Sequence, residues 1–110
     1  MSLESYTKLL RERIGDDNGV VEKNIKIKFK NTGEVIYLDM ASKPNKVHNN
    51  DLDSDLTITL KTEHFEQLMT KEVAGPMLLF NGKMRIKGKV ALAMKMDDIL
   101  KIHKVPPASF

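Results

Sequence analysis

Three histidines are the side chains of this sequence best suited to acid–base catalysis or metal binding at neutral pH. His48, His64 and His103 lie far apart in the chain, and no two of them have the short spacing typical of a metal site. The sequence contains neither a Gly-x-Ser-x-Gly motif nor a cysteine, so it offers no recognisable nucleophile for a histidine to activate. We therefore expect each histidine at the surface, no bound metal and no enzymatic activity.

Two loops resemble phosphate and calcium sites only in part. In residues 75 to 83 the two glycines are separated by six residues, which is too many for a phosphate loop, and Met84 stands where Ser or Thr would hold magnesium. Asp51, Asp53 and Asp55 lack the glycine and the final glutamate of a calcium loop. The sequence therefore predicts no cofactor, and a solvated turn at residues 51 to 55.

Length and composition are typical of one globular domain. Of the 110 residues, 41% are hydrophobic and 30% are charged. The lack of cysteine favours a reducing compartment. Charged residues interrupt the first fifteen positions, no apolar run is long enough to cross a bilayer, and the last three residues are not a Ser-Lys-Leu peroxisomal signal. These features predict a cytoplasmic location.

Positive charge is concentrated near the end of the chain. Residues 83 to 104 hold seven basic and two acidic residues, a net +5, while the whole chain carries only +3. This excess would favour transient contact with an anionic membrane surface, although a solvated lysine face would give the same pattern. Aromatic residues make up only 5% of the chain, so we expect no nucleic-acid partner. We therefore expect the alternating lysines at residues 26 to 30 to lie on the solvent-exposed face of a sheet whose other face is buried.

Apolar spacing in the first forty residues changes from a helical period to a strand period. Gly15 is a stop signal for the first helix. Alternation predicts strands at residues 25 to 29 and 35 to 40, joined by a turn at residues 31 to 34. The apolar stripe of the helix comprises Leu3, Tyr6, Leu10 and Ile14. The inward face of the second strand is predicted to comprise Ile36, Leu38 and Met40.

The rest of the chain mixes short strands and helices. Further strands are predicted near residues 46 to 49, 56 to 60 and 83 to 87. Thr62 is the expected N-cap of one helix, and Gly75-Pro76 begins another. The last helix, at residues 89 to 102, is apolar all round over residues 90 to 94, so we expect it to be buried on several sides.

The C-terminal half carries a specific series of segments, namely Asp55-Leu56-Thr57-Ile58-Thr59-Leu60, Leu68-Met69-Thr70, Phe80-Asn81-Gly82-Lys83-Met84-Arg85-Ile86-Lys87-Gly88 and Leu92-Ala93-Met94-Lys95-Met96. In these segments the chain closely resembles the sterol-carrier-protein-2 family. The resemblance implies an α+β fold with a five-stranded, mostly antiparallel sheet covered on one face by helices. It also implies an apolar tunnel between the sheet and the helices for a fatty acid, a fatty acyl-CoA or a sterol. The domain would occupy residues 1–104 and leave a tail at residues 105–110.

The resemblance implies that this chain is a non-enzymatic lipid carrier. Met77, Leu78 and Leu79 are bulkier than is common in the family at these positions, which would narrow the tunnel and favour a fatty acid over a sterol. Methionine also suits a cavity that adapts to varied guests. The predicted tunnel-lining residues are Ile36, Leu38, Met40, Ile58, Leu60, Phe65, Leu68, Met77, Leu78, Phe80, Met84, Ile86, Val90 and Met94.

A fatty acid would also need a partner for its carboxylate at the tunnel mouth. The candidates lie at the end of the first helix and in the segment that follows it, although the same residues would serve equally well as surface charges. The alternative function is a non-catalytic interaction module that docks a peptide or a membrane through an apolar groove. The head-group candidates are Arg11, Arg13, Asn18, Gly19 and Lys23.

Overall fold

The computed structural model, which describes residues 3 to 15, 23 to 42 and 44 to 100, is built on a five-stranded sheet. Its strands are β1 Asn24–Phe29, β2 Val35–Asp39, β3 Lys46–His48, β4 Leu56–Leu60 and β5 Met84–Gly88. Their order across the sheet is β3-β2-β1-β4-β5. The β1–β4 pair is parallel and the other three pairs are antiparallel. The predicted α+β fold with a mostly antiparallel sheet is therefore confirmed.

The helices are α1 Leu3–Ile14, α2 Thr62–Met69, α3 Gly75–Phe80, α4 Val90–Met94 and α5 Met96–Ile99. The first helix ends as predicted, because Gly15 adopts a positive φ of 62° and its N–H donates to the carbonyl of Arg11. Left-handed backbone of this kind is cheapest for glycine. The predicted tail at residues 105–110 lies outside the described residues.

The single last helix predicted at residues 89 to 102 is wrong over its described part. The chain forms two short helices that meet at Lys95, and residues 101 and 102 lie outside the described ranges. The prediction of burial on several sides is wrong as well, since Leu92 is the buried residue of α4. After the break at Lys95, Met96 and Ile99 of the second short helix belong to the core. An all-apolar sequence indicates a preference for burial, but the neighbouring elements determine how many sides of the helix are covered.

The N-terminus of α2 is capped by a distant residue. Lys61 rather than Thr62 is the N-cap, and its side chain makes no capping bond. Instead the side-chain oxygen of Asn31, in the β1–β2 turn, accepts a hydrogen bond of 3.1 Å from the Thr62 N–H. The Asn31 side-chain nitrogen also donates to the Thr62 hydroxyl at 3.0 Å. The prediction of Thr62 as N-cap is therefore wrong, because a tertiary contact supplies the acceptor.

One sheet face carries the core. Ile25, Ile27 and Phe29 of β1 lie beside Leu56, Ile58 and Leu60 of β4 in register. Helices α1, α2 and α3 supply apolar side chains to the same buried cluster. The predicted inward face of the second strand, Ile36, Leu38 and Met40, is buried there too, which confirms the choice between its two faces. The helices therefore cover this side of the sheet.

The other face is covered in part by the chain between β3 and β4. The Tyr37 hydroxyl donates to the backbone carbonyl of Asp53 at 2.6 Å, and Lys26 pairs with Asp51 at 2.8 Å. Tyr37 and Val35 are both buried on this face. The lysine face was expected to be fully exposed to solvent, and this is wrong at Lys26. Residues 51 to 55, which were predicted to form a solvated turn, pack against this face of the sheet instead.

Candidate functional site

The candidate site is the apolar layer between the sheet and the helices. Ten of the fourteen predicted tunnel residues lie in or against this layer. Nine are buried and Ile86 is partly buried. The nine are Ile36, Leu38, Met40, Ile58, Leu60, Phe65, Leu68, Leu78 and Met84. Strand register brings the sheet members together, since Leu60 pairs with Met84 and Ile58 with Ile86.

Three aromatic rings form the centre of this layer. Tyr6 of α1, Phe29 of β1 and Phe65 of α2 contact one another with ring centroids 5.0 to 5.7 Å apart. The Tyr6 hydroxyl donates a hydrogen bond to the carboxylate of Glu66. These contacts hold α1 and α2 against the central strand β1. Tyr6 and Phe29 were not among the predicted wall residues, although the helical spacing of Tyr6 and the alternation of Phe29 both pointed inward.

Flexible side chains surround the start of α3. A Cβ placed on Gly75 would lie 3.7 Å from both the Leu68 Cδ1 and the Met84 Cε atoms. This places the first turn of α3 close to α2 and β5. Leu78 of α3 is fully buried. Leu68 and the edge-strand residue Met84 thus lie close together at the start of α3, where small rotamer changes can alter the shape of the layer.

The other four predicted wall residues lie at the surface. Met77 is 54% exposed and Phe80 is 87% exposed, both on α3. Val90 is 63% exposed and Met94 is 83% exposed, both on α4. The structure does not bring these four side chains into the layer with the other ten. Both helices are short, and each buries a single residue, Leu78 or Leu92.

The head-group candidates fall into different environments. Arg13 is 8% exposed, and its Nη1 donates to the Leu100 carbonyl at 3.4 Å. Burial lowers the pKa of this guanidinium. Arg11 is exposed and donates from Nη2 to the Val47 carbonyl at 2.9 Å, and Lys23 is exposed. Asn18 and Gly19 lie outside the described residues.

A polar cleft lies between α1 and the sheet edge. Its volume is about 710 Å³, and its lining includes Thr7, Arg11, Glu34 and Asn49. Asn49 donates from its side chain to the Thr7 hydroxyl at 3.0 Å and to the Val35 carbonyl at 2.9 Å. Sequence reasoning did not anticipate this cleft, because its residues come from distant segments. Its mixed polar lining does not suit an acyl chain.

The histidines of the described residues are kept apart. His48 stacks on Tyr37 with ring centroids 4.9 Å apart, and its Nδ1 accepts from the Asn50 N–H at 3.1 Å. His64 is buried on α2, so the expectation of a surface position is wrong for this residue. His103 lies outside the described residues. Within the described residues no cluster of histidine and carboxylate side chains is suited to hold a metal ion.

None of the helices in the described ranges is long and apolar enough to span a membrane.

Comparison with known proteins gives a consistent result for sequence and fold. A fatty acid-binding protein from Yarrowia lipolytica is 33% identical over 102 residues, which cover 88% of this chain and 77% of that protein. The solution NMR structure of palmitated SCP2L2 from Aedes aegypti matches with a TM-score of 0.71 at 25% identity. That match covers 96% of this chain and all of the other.

The same fold also occurs within a much larger chain. The sec-alkylsulfatase Pisa1 from Pseudomonas sp. matches with a TM-score of 0.75 at 16% identity, over 97% of this chain. This chain spans only 17% of that protein, so the likeness concerns the fold alone.

A family comparison assigns most of the sequence. The SCP-2 sterol transfer family matches residues 8–101, which include every described helix and strand except the first residues of α1. Domains of this family are in general non-catalytic lipid carriers. The described fold, the apolar layer and the match over residues 8–101 together place this chain in the SCP-2 sterol transfer family.

Proposed function

We propose that this chain is a non-enzymatic carrier that holds a fatty acid, with the acyl chain between the helices and the sheet. The observation that carries the proposal is the continuous apolar layer, to which all five strands and all five helices contribute buried side chains. The relative from Yarrowia is named for fatty-acid binding, and the Aedes structure is of a palmitated protein. Both names support a fatty acid ahead of a sterol or a fatty acyl-CoA.

Dehydration of the acyl chain would supply the affinity. Burying one methylene contributes about 0.8 kcal/mol, so a chain of about sixteen carbons would gain on the order of 10 kcal/mol before ordering costs. The proposed wall is the set of ten side chains that the sequence predicted and that lie in or against the layer. Leu68, Leu78 and Met84 form its adjustable part, since these side chains can change rotamer without breaking backbone hydrogen bonds.

Arg13 is the proposed partner of the ligand carboxylate. Its helix neighbours Leu10 and Ile14 belong to the buried core, and Arg13 itself is almost fully buried. Its Nη1 donates to the Leu100 carbonyl at 3.4 Å, which holds the guanidinium beside the core. A carboxylate bound there would form a charge-assisted hydrogen bond with this guanidinium. Arg11 and Lys23 are exposed and already in water, so they would gain less.

The test is native mass spectrometry of the delipidated, refolded protein after incubation with palmitate, palmitoyl-CoA or cholesterol. We expect one palmitate per chain and competition between palmitate and any other ligand that binds. A mass that stays that of the free protein with all three lipids would contradict the carrier function and favour the interaction module. Cholesterol that displaces palmitate at equal concentration would contradict the preference for a fatty acid.

The role of Arg13 has its own test. Arg13→Gln should weaken palmitate binding roughly tenfold or more, because a buried carboxylate loses a charged hydrogen bond. Binding of hexadecanol, which has no carboxylate, should change little. Arg11→Gln is the matched control and should leave both affinities near those of the wild type. Equal losses for palmitate and hexadecanol in Arg13→Gln would assign Arg13 a purely structural role.

A further inference from the structure

The sheet face opposite the helices carries a group of cations at one end. Lys28 of β1 lies on this face because its neighbours Ile27 and Phe29 are buried in the core on the other side. Arg85 of β5 lies there for the same reason, since Met84 is buried. Three lysines that adjoin the ends of β1, β4 and β5 continue the alternation on the same face. All five residues are exposed, and we call them the basic patch, which comprises Lys28, Lys30, Lys61, Lys83 and Arg85.

Strand register brings the five cations of the basic patch together. Lys28 and Arg85 lie on either side of Thr59, because β4 pairs Thr59 with both of them. Neighbouring strands are about 4.8 Å apart, so the Cα atoms of these two cations are about 10 Å apart. The other three cations form the next row, because each adjoins a member of the paired row Phe29, Leu60 and Met84. The basic patch is therefore compact and crosses three strands.

The acidic residues of this face lie at its other end and already have partners. The Asp51 carboxylate accepts from Lys26 at 2.8 Å. Asp55 accepts from the Asn24 N–H at 3.0 Å through one carboxylate oxygen, and the other oxygen lies 3.9 Å from Lys89. Within the part of the chain that the structure describes, no residue of the basic patch forms an ion pair. The positive charge of the basic patch is therefore not neutralised by the fold.

Protection of a sheet edge explains only part of the basic patch. Cations on an edge strand can prevent pairing with another chain, and this would account for Arg85 and the adjoining Lys83 on β5. Lys28 and Lys61 belong to or adjoin β1 and β4, which are interior strands with both edges paired. Like charges held close together repel one another and disfavour the compact state. A partner of opposite charge would remove this repulsion.

We propose that the basic patch docks an extended acidic segment of a partner protein, with glutamate or aspartate at alternate positions. In an extended chain, side chains two residues apart lie on one side and are about 6.8 Å apart. The same spacing separates Lys28 from Lys30 and Lys83 from Arg85, because these pairs are also two residues apart along a strand. The basic patch is small, so the interface would be weak and transient.

The position of the basic patch makes docking independent of ligand binding. The patch and the apolar layer lie on opposite faces of the sheet. A docked segment would therefore leave the helices free to admit or release a ligand. The proposal does not rest on the carrier function, since docking is measured on the full chain without any lipid.

The surroundings of the basic patch favour a protein segment over two other occupants. Single-stranded nucleic acid binds through aromatic side chains that stack on its bases, and Tyr37 on this face is buried beneath the segment that contains Asp53. A second copy of this chain would have to offer free carboxylates from the same face, but Asp51 and Asp55 are already bound. An acidic segment supplies negative charge and requires no stacking.

The experiment measures fluorescence anisotropy of a labelled ten-residue peptide in which glutamate and serine alternate. The wild type should bind this peptide at low salt, and its affinity should fall several-fold when the ionic strength is raised. A peptide with glutamine in place of glutamate should not bind. A peptide of five consecutive glutamates followed by five serines has the same charge but a different spacing, and it should bind roughly threefold or more weakly.

A pair of double variants locates the binding site. Lys28→Gln combined with Arg85→Gln should weaken binding of the alternating peptide roughly tenfold or more. Lys8→Gln combined with Lys95→Gln is the matched control, because it removes the same charge from α1 and from the junction of α4 and α5. The control should have a much smaller effect. Circular dichroism of each variant shows whether it is folded before its binding is compared.

Several outcomes would overturn the proposal. These are no binding of the alternating peptide to the wild type, equal binding of the two acidic peptides, or equal losses in the two double variants. Tighter binding of a ten-residue oligothymidine than of the alternating peptide would assign the basic patch to nucleic acid instead. A dimer in gel filtration that Lys28→Gln combined with Arg85→Gln abolishes would assign it to a second copy.

Discussion

At the scale of single residues, Tyr6 joins two kinds of interaction at one position. Its ring packs against Phe29 and Phe65, while its hydroxyl donates to Glu66 on another helix. Burial raises the pKa of the Tyr6 phenol, and the hydrogen bond and negative charge of Glu66 raise it further. The neutral phenol therefore stabilises the packing of α1 against α2.

The first prediction concerns stability at alkaline pH. Because the pKa of Tyr6 is higher in the folded than in the unfolded state, its contribution is complete below the unfolded pKa of about 10 and is lost as pH rises towards the folded value. Tyr6→Phe should lower the free energy of unfolding by about 1 to 2 kcal/mol at pH 7. Urea unfolding should then show a steeper loss of stability above about pH 10 in the wild type than in the variant. Parallel slopes would contradict the link to Tyr6.

Gly88 is the glycine whose lack of a side chain matters most. Its φ is 111°, and an added Cβ would lie 2.3 Å from the Asp55 carbonyl oxygen. The following residue uses that same carbonyl, because the Lys89 N–H donates to it at 2.9 Å. The chain thus passes directly over the start of β4 before α4 begins.

The second prediction compares two glycines. Gly88→Ala should lower the free energy of unfolding by roughly 2 to 4 kcal/mol, because the backbone must move away from Asp55 as well as tolerate a strained φ. Gly33 also has a positive φ, 78°, but no atom lies within 4 Å of its added Cβ. Gly33→Ala should therefore cost only about 1 kcal/mol. Equal losses in urea unfolding would show that close approach to Asp55 adds nothing.

At the scale of elements, the β1–β2 turn is hydrogen-bonded to the N-terminus of α2. Asn31 accepts from the Thr62 N–H and donates to the Thr62 hydroxyl, so it takes the place of a local N-cap. Thr32 and Gly33 close the turn by donating to the Phe29 carbonyl. The β1–β2 hairpin therefore supplies the capping side chain for the first turn of α2, about thirty residues later in the chain.

The third prediction tests this cap. Asn31→Ala should lower the free energy of unfolding by about 1 kcal/mol, the usual contribution of a capping side chain. Asn31→Asp keeps an acceptor for the Thr62 N–H and should retain most of the stability. Urea unfolding of the three proteins measures the difference. A stable Asn31→Ala protein would mean that water replaces the cap without loss.

At the scale of the whole molecule, the two faces of the sheet are covered to different extents. Five helices lie over one face and build the apolar layer, while the segment between β3 and β4 crosses part of the other. Tyr37 is buried beneath that segment, and burial is the main reason that its pKa is raised. The proposed ligand lies on the helical side, where helices can move relative to the sheet without breaking strand pairs.

The fourth prediction is that ligand binding stabilises the whole domain. With free palmitate a hundredfold above Kd, the free energy of unfolding should rise by about 2.7 kcal/mol. Butyrate has the same carboxylate but a short chain, and at the same concentration it should have almost no effect. Urea unfolding with each acid measures the shift. Equal stabilisation by both acids would indicate binding at the surface rather than in the apolar layer.

Local sequence patterns were sufficient for most of the fold. The helical stripe ending at Ile14, the alternation of Ile36 and Leu38, and the brief strand at Val47 all appear as predicted. These patterns succeed because a period of 3.6 or 2 residues directly reflects which side of an element is buried. The same reasoning placed ten of the fourteen proposed wall residues in or against one apolar layer. Their contact with a ligand is still a prediction.

Contacts between distant segments decided the rest. The sequence alone determined the family, the periodicity of each element and the inward side of β2. Only the tertiary structure decided that Asn31 caps α2, that α4 ends at Lys95, and that Met94 is exposed while Arg13 is buried. Each of these outcomes depends on what lies beside a residue in space. A local pattern can state a preference for burial or capping, but only the packed fold determines where that preference is satisfied.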